Sequence, residues 1–232
     1  MRVNSVESGL WEADLEEVLG GDRLPATLHL PKVRDRQQLE EFWRVTERVV
    51  GQDRGTLGLI MFIETAGSLL SIDQICSAAW QLASSSPVLC PVALVFGSDD
   101  FAADIGATRS KASTELMLAR QMVVTAAKAH KLQAIDAVYI DYKDSTGLAA
   151  QCEEGAAWGF TGKQVIHPGQ VEIVQAAFTP SAARLDWANN LMEAFHQHQR
   201  EGRGAFTFRG QMIDMPTVKQ AQNVLDIHAK SC

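Results

Sequence analysis

Cysteine is scarce in this sequence of 232 residues: there are four, Cys76, Cys90, Cys152 and Cys232, and no two form a C-x-x-C pair. That spacing excludes a zinc knuckle or a disulfide framework as the organising device, and a reducing compartment fits it best. Positive charge is also in deficit, with 21 Lys and Arg against 28 Asp and Glu and a formal net charge of -7. Non-specific nucleic-acid binding rests on clustered Lys and Arg that neutralise phosphates, so nucleic acid is not an expected partner. No apolar run is long enough to span a bilayer, and no membrane partner is expected. At the amino terminus Met1-Arg2-Val3-Asn4 leads straight into a short strand pattern, with neither a signal peptide nor an Arg-rich transit segment. What is present, 46% hydrophobic and 21% charged residues, suits a globular enzyme of one large domain, with or without an appendage.

The most informative stretch is Leu59-Ile60-Met61-Phe62-Ile63-Glu64-Thr65. Its five consecutive large hydrophobes are too few for a buried helix and predict a strand covered on both faces, as in parallel sheets. Arg2-Val3-Asn4, Thr27-Leu28-His29-Leu30-Pro31-Lys32-Val33, Val92-Ala93-Leu94-Val95-Phe96, Ala137-Val138-Tyr139-Ile140-Asp141 and Gln164-Val165-Ile166-His167 read as strands too, six in all. Segments 9–19, 35–51, 72–82, 113–131 and 148–158 carry apolar residues at helical spacing between them. This alternation predicts a parallel βαβ architecture. After Phe178 the pattern changes to a long helix over 180–199, a hairpin through Gly204 to Asp214 turning at Gly210, and a final helix from Pro216 towards Lys230. The expected division is therefore 1–178 and 179–232.

Three of the expected strands end in carboxylates: Glu64, Asp99 with Asp100, and Asp141. In a parallel sheet these ends share one rim, where ligands of α/β folds bind. Carboxylates that converge there repel one another unless a cation lies between them, and oxygen donors without His or Cys favour Mg²⁺ or Mn²⁺ over zinc. The alternative for Glu64 is a simple helix start, favoured by the helix dipole. Arg2 sits where it can meet an anionic oxygen, or is a surface arginine. His167, followed by Pro168, is either a base or a capped structural residue; Lys32 and Lys163 are candidate phosphate partners. His196 and His198 do not share a helical face and read as solvated.

Taken together, Arg2-Val3-Asn4-Ser5, Leu30-Pro31-Lys32, Phe62-Ile63-Glu64-Thr65-Ala66, Phe96-Gly97-Ser98-Asp99-Asp100-Phe101, Gly159-Phe160-Thr161-Gly162-Lys163-Gln164-Val165-Ile166-His167-Pro168, Gly204-Ala205-Phe206 and Met212-Ile213-Asp214-Met215-Pro216 resemble the citrate lyase beta-subunit and HpcH/HpaI aldolase superfamily. The resemblance implies an α/β fold of the (β/α)8 TIM-barrel type, here lacking its first two βα units, with a C-terminal helical and hairpin appendage acting as lid and oligomerisation segment. It implies Mg²⁺ held by Glu64 and Asp100, Arg2 on the substrate, Ile166 and His167 beside an acyl-CoA, and Asp214 as catalytic acid/base of a neighbouring subunit in a homotrimer. Spacing alone does not choose Asp214 over Asp99 or Asp141. The implied activity is a Mg²⁺-dependent carbon-carbon lyase that cleaves citramalyl-CoA or malyl-CoA-like esters to acetyl-CoA and pyruvate or a related keto acid. The alternatives are an aldolase on free hydroxy-keto acids and a catalytically impaired, N-terminally truncated fragment. A mitochondrial location is implied by the resemblance only.

Overall fold

The computed structural model describes residues 1–51, 54–200 and 206–231. Gly204 and Ala205, where the expected hairpin begins, and Cys232 lie outside the described residues. The chain forms two compact units, Met1–Val171 and Glu172–Cys232.

The first unit is built on one parallel sheet of five strands in sequence order: β1 (Thr27–Leu30), β2 (Leu57–Ile63), β3 (Leu89–Phe96), β4 (Gln133–Asp136) and β5 (Gly162–Lys163). Connecting helices α1 (Trp11–Leu19), α2 (Arg36–Val50), α4 (Ile72–Ser85), α6 (Met117–Ala129) and α7 (Ser145–Trp158) alternate with the strands, and two short helices, α3 (Ala66–Leu70) and α5 (Ser98–Asp104), start directly after β2 and β3. Alternate strand residues Leu28, Leu30, Leu57, Leu59, Met61 and Ile63 are fully buried, while Thr27, His29, Gly58 and Ile60 between them are only half-buried. Opposite faces of a strand alternate residue by residue, so one face of the sheet is sealed and the other is partly open. This corrects the expectation for β2, which is covered on both faces only in its last three residues.

Two expected strands are displaced. The segment 137–141 is irregular, and the strand before it is β4; the segment 164–167 is likewise outside the ladder, and its strand is β5. The expected first strand is reduced to one parallel bridge between Arg2 and His29. The fold is thus α/β with an open five-stranded parallel sheet among the described residues, where six strands were expected.

One cause accounts for both displacements. Asp136 and Lys163 are register partners at the ends of β4 and β5, and both side chains are completely buried. Arg120 of α6 forks onto Asp136 at 3.0 and 2.8 Å, Lys163 Nζ lies 3.2 Å from the same carboxylate, and Glu154 of α7 takes Arg120 at 2.7 Å. The guanidinium also stacks on Trp158, 4.4 Å from the ring centroid. A hydrophobicity pattern assigns charged residues to the surface, so the true strand ends read as loop and the apolar residues beyond them read as strand.

The second unit begins one residue into α8 (Val171–Phe178). It continues with α9 (Ala182–Arg200), a hairpin of β6 (Phe206–Phe208) and β7 (Gln211–Ile213), and α10 (Met215–Ser231). Arg209 and Gly210 both have positive φ, 50° and 80°, the backbone that two-residue hairpin turns require. Ala188 and Leu191 of α9 pack with Val218 and Ala221 of α10, flanked by Trp187, Phe195 and Ile213.

Removing the shared carboxylate is the severe test of the buried cluster. Asp136→Asn leaves Arg120 and Lys163 buried without a full counter-charge between them, and is expected to lower unfolding free energy by about 3–5 kcal/mol in urea denaturation. Lys163→Met keeps the Arg120–Asp136 fork and is expected to cost markedly less; equal losses would contradict this account.

Candidate metal and substrate site

Glu64 follows β2 directly and is 2% exposed. It does not cap the next helix: Thr65 is the N-cap of α3, accepting from the Ser68 N–H in a capping box. The helix-start alternative therefore falls to the neighbouring residue, and the Glu64 carboxylate is turned to another purpose. Its Oε2 accepts the Lys32 backbone N–H at 2.8 Å. Its other side lies over Gly97, the residue after β3, where a Cβ would come within 2.6 Å of Oε1. Only glycine leaves room for the carboxylate there.

Asp100 stands in the first turn of α5, and its Oδ1 meets the Lys32 ammonium at 3.0 Å. Lys32 thus engages both acids, one through its backbone and one through its side chain, from a left-handed conformation with φ 53°. Burial foremost holds the Glu64 carboxyl above the usual range; the Lys32 N–H opposes this and the Asp100 charge adds to it. Arg2 carries its guanidinium 5.0 Å from the ring centroid of Phe62, two residues before Glu64, and its charge also acts on Glu64. His29, bridged to Arg2, is kept below the usual histidine value by burial and then by the amino terminus and Arg2.

The other expected acids do not join this group. Asp99 is held by Arg109, which also donates to Ser98 Oγ at 3.0 Å. Asp141 is not a strand end at all: β4 stops at Asp136, and Asp141 lines a separate cavity of about 260 Å³ with Arg109, Lys111 and Tyr139. Lys163 is spent inside the cluster on Asp136 and is not available to a phosphate. His198 is half-buried, its ring 5.3 Å from that of Phe206, and so is not a solvated residue.

Ile166 and His167 lie just after β5, both exposed. Gln170, itself 1% exposed, accepts the Ile166 N–H at 2.9 Å and donates to the Tyr139 carbonyl at 2.9 Å, tying together the segments that follow β4 and β5. His167 caps the short helical turn after it, its Nδ1 accepting the Gly169 N–H, and its ring stacks on Tyr142 at 4.8 Å. Asp214 precedes α10 in the second unit, exposed, accepting from the Thr217 N–H at 3.0 Å and hydroxyl at 2.6 Å. Those two bonds hold its carboxyl below the usual range.

The first unit therefore brings together Glu64, Asp100, Lys32 and Arg2. Two carboxylates without His or Cys, one pressed into space that a missing side chain provides, fit a hard divalent cation that keeps water and substrate as its remaining ligands. Among the described residues no group of three or more His, Cys, Asp and Glu gathers around one point, so a site made wholly of protein ligands does not fit. Sequence reasoning gave Lys32 as a candidate phosphate partner and Gly97 only as part of a motif, with no role in the site for either; the signal for both is their place within two residues of the end of a strand paired with β2, which Glu64 follows.

The chain is similar to several known proteins. Citramalyl-CoA lyase, mitochondrial, of Mus musculus is 48% identical over 229 residues, covering 98% of this chain and 68% of that protein. Citrate lyase subunit beta of Escherichia coli (strain K12) is 32% identical over 229 residues, covering 97% of this chain and 72% of that protein. Among solved structures, CitE from Mycobacterium tuberculosis in complex with magnesium, acetoacetate and coenzyme A superposes with a TM-score of 0.73 at 28% identity, over 98% of this chain and 77% of that one. The family model HpcH/HpaI aldolase/citrate lyase matches residues 1–168, which hold the parallel sheet and the Glu64, Asp100, Lys32 and Arg2 group. The chain belongs to the HpcH/HpaI aldolase/citrate lyase family.

Proposed function

We propose that this protein is a Mg²⁺-dependent carbon-carbon lyase that cleaves citramalyl-CoA or malyl-CoA-like esters to acetyl-CoA and pyruvate or a related keto acid. The observation that carries the reading is the Glu64 and Asp100 pair linked through Lys32 beside Arg2. The mammalian relatives named mitochondrial citramalyl-CoA lyase support the substrate class and a mitochondrial setting, and the family structure holding magnesium and coenzyme A supports the cofactor. The open sheet with one half-buried face is taken as an arc of a TIM-type barrel.

Glu64 and Asp100 would hold Mg²⁺, which when bound supplies Lewis-acid polarisation of the substrate's carboxylate and hydroxyl. As the hydroxyl gives up its proton to the Asp214 carboxylate, the carbon-carbon bond breaks, the hydroxyl carbon becomes the keto carbon and the bond's electron pair passes into the thioester as an enolate. Arg2 stabilises the enolate oxygen electrostatically. Asp214 returns a proton to the methylene carbon, giving the acetyl group; in the reverse direction it removes that proton. Its Thr217 bonds keep it ionised at neutral pH, the form that takes up a proton. The exposed Ile166 and His167 segment lies along the acyl-CoA. Asp214 serves a neighbouring subunit in a homotrimer; Met212 and Met215 on either side of it, 80% and 64% exposed, form an apolar collar suited to being covered.

Glu64→Gln is expected to abolish Mg²⁺ binding in calorimetry and Mg²⁺-dependent turnover with it. In metal-free protein the raised Glu64 carboxyl contributes stability that is present below its ordinary value of 4.5 and is lost as pH rises through the folded-state value. The variant should therefore lose that decline, and unchanged metal affinity would refute the assignment.

Asp214→Asn is expected to lower kcat by about 10²–10⁴-fold with metal affinity intact. Mixing Glu64→Gln with Asp214→Asn chains should restore activity, because mixed trimers contain a site with both residues intact. No recovery in demonstrably mixed oligomers would refute sharing between subunits. Turnover of the free hydroxy acid at the rate of its CoA ester would exclude the CoA reading.

A further inference from the structure

Lys32 is the residue through which the two acids meet, and its placement has a cost. Its backbone takes a left-handed conformation rare outside glycine, which aims the N–H at Glu64 Oε2 and the ammonium at Asp100 Oδ1. The Lys32 side chain is 41% exposed, with room to change partner. The charges within this group balance: two carboxylates, Glu64 and Asp100, stand against two cations, Lys32 and Arg2. A divalent cation entering this set alone leaves two uncompensated positive charges. A substrate of the proposed class supplies the missing anionic groups, a carboxylate and an oxygen that becomes negative during reaction.

We infer that Lys32 is a tethered cation that couples metal binding to substrate binding. It opposes Mg²⁺ while the anionic substrate is absent, and leaves Asp100 for the substrate's carboxylate when metal and substrate arrive together. The inference rests on the metal-site reading of Glu64 and Asp100 and adds to it a positioning residue that makes the two bindings cooperative. Such coupling is a differential interaction free energy and is therefore reciprocal.

The test is calorimetric titration of the full chain with Mg²⁺, alone and in saturating pyruvate, alongside titration with pyruvate at fixed Mg²⁺. Wild-type protein is expected to bind Mg²⁺ weakly alone and more tightly with pyruvate. Lys32→Gln, which keeps the backbone N–H but removes the charge, is expected to bind Mg²⁺ alone about tenfold more tightly and to lose most of the gain from pyruvate. Lys32→Arg should behave as wild type. Should Lys32→Gln fail to fold, Lys32→Asn carries the same test, since asparagine tolerates the left-handed backbone. Mg²⁺ affinity no tighter in the uncharged variant, or an undiminished pyruvate effect, overturns the inference. Glu64→Gln separates the two levels: if it binds Mg²⁺ as wild type does, the site reading falls and the inference with it. If it loses Mg²⁺ while Lys32→Gln gains nothing, only the inference falls.

Discussion

A single buried carboxylate, Asp136, holds the last two strands of the sheet and the two helices over them in one arrangement. It is shared by Arg120 from α6 and Lys163 from β5, while Glu154 from α7 balances the remaining charge on Arg120. Desolvating these charges is expensive, and the cost is recovered only where every partner is in place. That condition makes the cluster specific, because a shifted register of β4 against β5 would separate Asp136 from Lys163. With the strand ends fixed, the segments leaving them are fixed as well. Gln170 can then bridge Ile166 to Tyr139, and Gln164 can reach the Phe96 carbonyl at the end of β3, beside Gly97 and the Glu64 carboxylate it accommodates.

Carboxylates of one chemical type are thereby given distinct roles by their surroundings. Asp136 is neutralised internally and takes no part in binding. Glu64 is buried, which pushes its carboxyl up, and the Asp100 charge adds to that. Asp214 is exposed and stabilised as an anion by Thr217. Asp144, at the start of α7, is held down to about 2 by the Gly147 N–H, Tyr139 and Lys111, and does purely structural work as a cap.

These environments also decide what the sequence makes legible. The alternation of elements, the strand ending at Glu64 and the acidic start after β3 are visible because they rest on apolar runs and local spacing. The ends of β4 and β5 are hidden because their defining residues, Asp136 and Lys163, are charged and buried, against the usual rule. The exposed Val165 and Ile166, 41% and 55% accessible, mislead in the opposite sense. The grouping of Glu64 with Asp100 rather than with Asp99 or Asp141 depends on Arg109 taking Asp99 and on β4 ending early, neither of which has a local signal. Asp214 is legible only through resemblance to relatives, since nothing near it in sequence distinguishes it from other surface acids.

Three local features around Glu64 run against stability: a buried carboxylate, a lysine in a left-handed conformation, and a glycine at the end of a strand. Each alone has a small structural explanation. Their convergence within one hydrogen-bonded group does not, because replacing Glu64 by an apolar residue would remove the buried charge and with it the reason for Lys32's strained backbone. Backbone strain and a buried acid persist where surrounding structure over-determines them. The buried Asp136 cluster supplies no such indication, because its Arg120 and Lys163 partners both bond to the one carboxylate and none of these residues has a left-handed backbone. The contrast separates the two charged groups of the sheet: one is buried around Asp136 and ties β4 to β5, and the other lies at the ends of β2 and β3 with the Lys32 and Asp100 side chains half open to solvent.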